Sequence, residues 1–252
     1  MSATFATDLL GWKKIEKSER PVPNSADTNS TPSKELARCI LDALGLEKER
    51  VLPDTPKSLG PALELAVCRD LRNALQQSSP SHTWHIDHKK VVADFMQYRH
   101  LRKIARAVRE NPALRADLGL DYLIRPDVTV GRTQASPQDA VPPFLHAAVS
   151  CKWTIRSDRV QNVRHEFLQM IRHRRGRLPH LVAVTAEPMP SRIAAIARGT
   201  GEVDAVYHIA LDALKQAVEA VGSRQQQDDL AECIGQGRLL AYEDLAPTLA
   251  NW

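Results

Sequence analysis

The segment HAAVSCKWTIRSDRVQNVRHEF, residues 146–167, contains the pattern that decides the fold. From His146 to Thr154, small and apolar side chains alternate over two faces as they do in a strand, and Lys152 is charged. From about Arg159 to Arg174, apolar residues return every three or four positions, as on one side of a helix. The segment therefore predicts a buried strand followed by an amphipathic helix.

Strands and helices alternate outward from this segment. A near-continuous apolar run at His180–Ala186 is typical of a strand buried on both faces of a mixed sheet. A helix, a turn, a strand and a helix follow up to residue 221. Upstream, a strand interrupted by Pro126 is predicted at 121–130, with helices at 34–46, 61–76 and 91–110. We predict one α/β domain over 1–252, a mixed β-sheet flanked by helices. It would comprise an N-terminal arm (1–34), a mainly helical part (35–120), a catalytic α/β core (121–221) and a C-terminal tail (222–252).

The composition is that of a soluble globular protein, with 43% hydrophobic and 25% charged residues. The sequence contains no run of eighteen apolar residues, so it predicts no transmembrane helix, and we expect no membrane association. The N-terminus does not have the pattern of a secretory signal. Four scattered cysteines without a CxxC pair argue against a zinc ribbon or a disulfide framework. We therefore expect a cytoplasmic location.

Histidines precede the third predicted helix, at positions 82, 85 and 88 with Asp87 between them. Their spacing fits no common zinc pattern, and a polar loop before a helix is the better interpretation. The net charge is only +4, but residues 156–177 contain seven arginines against two acids. That local excess fits either a solvated face or a surface that binds a polyanion.

Asp127, Lys152 and Glu166 form a candidate catalytic cluster. Asp127 follows a proline in a predicted strand, where an edge or a bulge can aim a side chain at a site. Lys152 stands between two apolar residues, and Glu166 borders the apolar stripe of the next helix. Two carboxylates and a lysine suit Mg²⁺-assisted hydrolysis of a phosphodiester. A structural ion pair between Lys152 and either acid explains the same spacing.

Arg156, Asp158 and Arg159 stand where the predicted strand gives way to the helix. Ser157 or Asp158 at this point is also a suitable N-cap. Helix N-termini commonly carry base-reading side chains into the major groove of DNA. Arginine pairs with guanine and aspartate accepts from cytosine, so two arginines around an acid suit a run of G·C pairs.

The block SCKWTIRSDR, residues 150–159, with Gln161, Asn162 and Glu166, resembles the CCGG-reading restriction endonucleases of the NgoMIV type. The resemblance covers most of residues 90–210, and the ten-residue block is highly specific. The further matching motifs are YRHL (98–101), ENP (110–112), PD (126–127), GRLPH (176–180), TAEP (185–188), PSRI (190–193) and GTGE (199–202).

The resemblance implies a PD-(D/E)XK nuclease core in which the usual acid two positions before the lysine is absent. Ser150 occupies that position, and its acidic role moves to Glu166. Mg²⁺ would be held by Asp127 and Glu166, with the Cys151 carbonyl as a third ligand. Glu64, on the second predicted helix, resembles a supporting acid of the site.

The resemblance also implies how DNA is read. Arg156, Asp158 and Arg159 would contact the inner CCGG, and Arg192 and Asp27 the outer base pair, which favours GCCGGC. The chain departs from the family at TPKS (55–58), where the family has a glutamine before the helix that bears Glu64.

The function implied is that of a type II restriction endonuclease, which cuts palindromic double-stranded DNA with Mg²⁺ and leaves 5′ overhangs. Its partners would be a second copy of the chain, in a dimer or tetramer, and functionally a cognate DNA methyltransferase. Two alternatives are a cleavage-inactive DNA-binding protein of the same fold and a non-specific or repair nuclease. The intact Asp127, Lys152 and Glu166 argue against the first, and the base-reading cluster argues against the second.

Overall fold

The fold is described by a computed structural model over residues 2–14, 20–46, 59–79, 82–111, 113–114, 123–133, 142–155, 157–199 and 201–251, without the side chains of 157–159. Six strands form the central sheet in this order: β3 (Thr83–His88), β4 (Val128–Thr133), β5 (Phe144–Lys152), β6 (His180–Thr185), β7 (Ala205–His208) and β8 (Leu239–Ala241). The pairs β3–β4 and β4–β5 are antiparallel, whereas β5 to β8 run parallel. Two short strands, β1 (Trp12–Lys13) and β2 (Val22–Pro23), pair separately. The predicted mixed sheet is confirmed.

Helices flank the sheet. They are α1 (Ala6–Leu9), α2 (Thr31–Ala43), α3 (Leu59–Ser78), α4 (His100–Glu110), α5 (Ser157–His173), α6 (Pro190–Ala197), α7 (Leu211–Val221), α8 (Arg224–Gly235) and α9 (Leu245–Asn251). Helix α3 packs on β3, β4 and β5, and α2 packs on α7. In the described part of the chain, no helix combines the length and apolar character needed to cross a membrane.

Strand β5 lies at the centre of the sheet, and residues 145–151 are buried without interruption. Both of its edges are paired and helices cover the sheet, so a strand here needs small or apolar residues on both faces. Lys152, its last residue, is only partly buried. This lysine therefore lies at the end of the central strand, just before the chain enters α5.

The polar segment before the third predicted helix is a strand, so the interpretation of residues 82–88 as a loop is wrong. Strand β3 pairs along its whole length with β4. It buries Trp84 and Ile86, while the other residues of the strand are less buried. An edge strand can carry polar side chains on its outer face. The helix predicted from residue 91 is also shorter: two 3₁₀ turns (92–94 and 96–98) precede α4. The Gln97 side chain there bonds both backbone groups of Leu145, which fixes the turns against β5.

Residues 222–251 contribute two helices and a strand to the fold, which corrects the description of 222–252 as a tail. Helix α8 begins with a capping box formed by Ser223 and Gln226. Strand β8 then extends the parallel part of the sheet, and α9 packs on α3. A three-residue edge strand is too short to show a period in the sequence, which is why the pattern gave no sign of it.

The N-terminal arm is also anchored. Helix α2 begins at Thr31, three residues before the predicted start, because the Ser30 hydroxyl caps the Ser33 amide. The indole Nε1 of Trp153 donates to the Asn24 carbonyl at 3.2 Å. The polar segment around Asn24 is therefore held against the residue that follows Lys152.

Candidate active site

Asp127 lies immediately before β4, and one of its oxygens is a common acceptor. Oδ2 accepts from the Cys151 amide at 2.7 Å, from Lys152 Nζ at 2.7 Å and from the Ser150 hydroxyl at 3.4 Å. Asp127 is thus bound to the end of the neighbouring strand β5. Ser150 is fully buried, so in this structure its hydroxyl supports Asp127 and does not face solvent.

The Asp127–Lys152 pair is partly exposed, with 16% and 20% of the two side chains accessible. The ion pair foreseen as an alternative to a catalytic role is therefore present. Its position also leaves both charges within reach of a bound molecule. The Lys152 carbonyl accepts from the Thr185 hydroxyl at 2.7 Å, which ties the end of β5 to the end of β6.

Glu166 faces the same place from α5. Its Oε1 is buried and has no hydrogen-bond partner among the described residues. Burial, together with the charge of Asp127, raises the pKa of Glu166 to about 7, although Lys152 acts in the opposite direction. A buried carboxylate oxygen without a donor is what a cation would be expected to satisfy.

Glu64 on α3 is buried and bound by Lys89 and His88, two residues that the sequence did not connect with the site. Its Oε2 lies 2.8 Å from His88 Nε2 and 2.8 Å from Lys89 Nζ. Burial would raise the pKa of Glu64, but the hydrogen bonds from Lys89 and His88 outweigh it, and the pKa lies below its ordinary value. Lys89 has a left-handed backbone (φ 53°), and its amide donates to the Asp127 carbonyl at 3.1 Å.

These groups meet around a cavity of about 290 Å³. Glu64, Glu166, Lys152 and Cys151 line it, so the structure brings the predicted catalytic residues to one place. Among the described residues, no three His, Cys, Asp or Glu side chains are grouped closely enough to hold a metal by themselves. The full lining is Gly60, Pro61, Glu64, Cys151, Lys152, Trp153, Asn162, Val163 and Glu166.

The residues predicted to read the outer base pair contact each other. Arg192 Nη2 lies 2.6 Å from Asp27 Oδ2, and Arg192 Nη1 lies 3.8 Å from Oε1 of the fully buried Glu187. Asp27 and Arg192 are 165 positions apart in the chain. Of the inner set, Arg156 lies outside the described residues. Asp158 and Arg159 fall in the first turn of α5, and their side chains also lie outside the description.

Comparison with known proteins identifies the family to which the chain belongs. A family model described as NgoMIV restriction enzyme matches residues 11–140 and 134–250. The type II restriction enzyme NgoMIV of Neisseria gonorrhoeae is 38% identical over 279 aligned residues, which cover 98% of this chain and 96% of that protein. This chain belongs to the NgoMIV restriction enzyme family. It is therefore a type II restriction enzyme, a site-specific deoxyribonuclease.

A search of solved structures gives a more distant similarity. The structure titled "Restriction endonuclease PspGI-substrate DNA complex" aligns with a TM-score of 0.41 and 10% identity, over 85% of this chain and 72% of that one. Family membership rests on the NgoMIV matches.

Proposed function

We propose that this family member is a Mg²⁺-dependent endonuclease that cuts palindromic double-stranded DNA containing CCGG, within GCCGGC, and leaves 5′ overhangs. The observation that carries the proposal is the common end of β4 and β5. There Asp127 is held by Lys152 and the Cys151 amide, beside a cavity into which Glu166 and Glu64 project.

The residues present fit a magnesium ion. Mg²⁺ takes hard oxygen ligands, often one or two protein carboxylates plus water and phosphate oxygens. Asp127 and Glu166 supply two carboxylates, and the buried Glu166 Oε1 is without a donor among the described residues. We propose these two residues as the ligands, with the Cys151 carbonyl as a third.

The chain's own groups divide the work. A magnesium ion held by Asp127 and Glu166 would supply a nucleophilic water and offset the charge that builds on the phosphate. Lys152 places an ammonium beside Asp127, where it can orient that water or donate to a phosphate oxygen. Ser150 and the Cys151 amide hold Asp127 in position. His88 and Lys89 keep Glu64 ionised beside the cavity, where it can bind water around the ion.

We assign base reading to two groups of residues. Arg156, Asp158 and Arg159 would read the inner CCGG from the start of α5. Arg192 and Asp27 would read the outer pair, because an arginine donates to guanine and an aspartate accepts from cytosine. These two side chains bond each other, and contacts with the bases would replace this pair.

A palindromic site requires two copies of the reader, so we propose that the enzyme works as a homo-oligomer, a dimer or a tetramer. Its functional partner would be a DNA methyltransferase of the same specificity. Mass measurement in solution with a GCCGGC duplex tests the first point, and a monomer that cleaves both strands at full rate would contradict it.

Cleavage of phage DNA followed by sequencing of the fragment ends tests the function. We expect discrete fragments with 5′ CCGG overhangs in Mg²⁺ and no cutting in EDTA. Random ends would indicate a non-specific nuclease, and binding without cutting would indicate an inactive relative. Lys152→Ala should bind the duplex without cutting it, whereas Lys215→Ala, an exposed lysine on α7, should cut normally.

A further inference from the structure

Glu187 is a fully buried carboxylate that the proposed function does not use. It follows β6 in the TAEP motif, and both of its oxygens accept from backbone amides. Oε2 accepts from Ile155 at 2.6 Å, and Oε1 accepts from Met189 at 3.1 Å. Burial raises the pKa of Glu187 to about 7, although these amides and Arg192 act to lower it. Ionising a carboxyl group in a buried position costs free energy, so a buried glutamate points to a role beyond packing.

The two amides lie just before the two base-reading groups in the chain. Ile155 directly precedes Arg156, the first residue of the proposed inner reader. Met189 is the residue before α6, and its carbonyl accepts from the amide of Arg192 at 3.1 Å. The Glu187 side chain therefore fixes the backbone just before each of the two readers. Its Oε1 also lies 3.8 Å from the guanidinium of Arg192.

Glu187 is in turn fixed to the end of the catalytic strand. Its amide donates to the Thr185 hydroxyl at 3.1 Å, and that hydroxyl donates to the Lys152 carbonyl at 2.7 Å. The buried His208 ring contacts the Glu187 carbonyl at 3.2 Å. A continuous set of hydrogen bonds thus joins Arg192 of the outer reader, Ile155 and Lys152.

We propose that Glu187 is a positioning residue for specificity, which holds the inner and outer readers at a fixed spacing. The proposal rests on the proposed function, in which Arg192 and Asp27 read the outer base pair. A carboxylate suits the task because both oxygens are acceptors. Glutamine has a single acceptor oxygen, so it would leave one of the two amides facing another donor.

The test compares cleavage of two short duplexes that differ only in the outer base pair, GCCGGC and ACCGGT. The wild type should prefer GCCGGC. In Glu187→Gln the ratio of the two cleavage rates should fall by roughly tenfold, the loss of one base-specific contact. Glu187→Asp, which keeps two acceptor oxygens, should retain more of the preference than the glutamine variant. Glu219→Gln, exposed on α7, serves as the matched control.

The rate ratio separates positioning from simple stabilisation. A residue that only stabilises the fold would lower the Tm and the active fraction, but unfolded molecules cut neither duplex, so the ratio would not move. The variant Arg192→Ala shows whether a negative result concerns Glu187 or the reading of the outer base pair. If the wild type prefers GCCGGC and Arg192→Ala loses that preference while Glu187→Gln keeps it, the inference about Glu187 is overturned and the proposed function stands. If the wild type cuts both duplexes equally, the outer reading itself fails, and the inference falls with it.

Discussion

Replacing Glu166 with glutamine should stabilise the metal-free protein at pH 8 while abolishing cleavage. Burial, with the charge of Asp127, raises the pKa of Glu166 from 4.5 to about 7. Between these pH values the folded protein keeps a proton that the unfolded chain has released. Stability therefore falls as the pH rises through this window, and above pH 7 the ionised carboxylate costs about 3 kcal/mol. Glutamine cannot ionise, so it does not incur this cost.

The free energy of unfolding, measured by urea denaturation in EDTA, checks this prediction. We expect Glu166→Gln to equal the wild type near pH 4, below both pKa values, and to exceed it by roughly 1–3 kcal/mol at pH 8, the lower values reflecting water in the cavity beside the carboxylate. Glu219→Gln controls for the loss of a surface charge. A gain of the same size at both pH values, or no gain at pH 8, would refute the reasoning. Adding Mg²⁺ should stabilise the wild type and leave the variant unchanged, because a ligand that binds only the folded state raises its stability.

Three further predictions concern the surroundings of the site. Lys89→Ala should slow cleavage by roughly tenfold or more, because Glu64 loses the ammonium bound to it, and Lys89→Arg should recover most of the rate. A rate unchanged in Lys89→Ala would remove this lysine from the mechanism. Trp153→Phe keeps an aromatic ring but is smaller and loses the donor to Asn24, which should cost at least about 1 kcal/mol in urea unfolding and speed proteolysis near residue 24. Ser223→Ala removes the capping box of α8 and should cost about 1 kcal/mol in thermal unfolding, with cleavage at low temperature unchanged.

The part of the fold built on strong periodicity could be predicted from the sequence. Strand β5 and helix α5 lie within two residues of their expected bounds, because a strand buried on both faces and a one-sided helix leave distinct patterns. Helix α7 has the bounds that its pattern predicts. That Asp127, Lys152 and Glu166 lie close together could also be predicted from the sequence, since two of them stand within this single strand–helix unit.

The features that could not be predicted from the sequence depend on contacts between distant segments. His88 and Lys89 reach Glu64 only because β3 pairs with β4 beside α3, and a polar edge strand has no clear period. The role of Glu187 as an acceptor for Ile155 follows from strands that are parallel neighbours, 32 positions apart. The contact between Arg192 and Asp27 likewise joins residues that no local rule relates. Such pairs are set by tertiary packing, which propensity and spacing do not encode.

Helix α9 has a consequence for how the molecule is made. His146, in the central strand, contacts the Leu249 carbonyl through Nε2 at 2.8 Å, and the Leu249 side chain is itself buried. A chain emerging from the ribosome therefore cannot close its core until α9 has been released. Domains generally fold as units during synthesis. For an enzyme that cuts DNA, this order of assembly delays the mature nuclease until residue 249 has left the ribosome, and a chain truncated before residue 249 would be left with an open core.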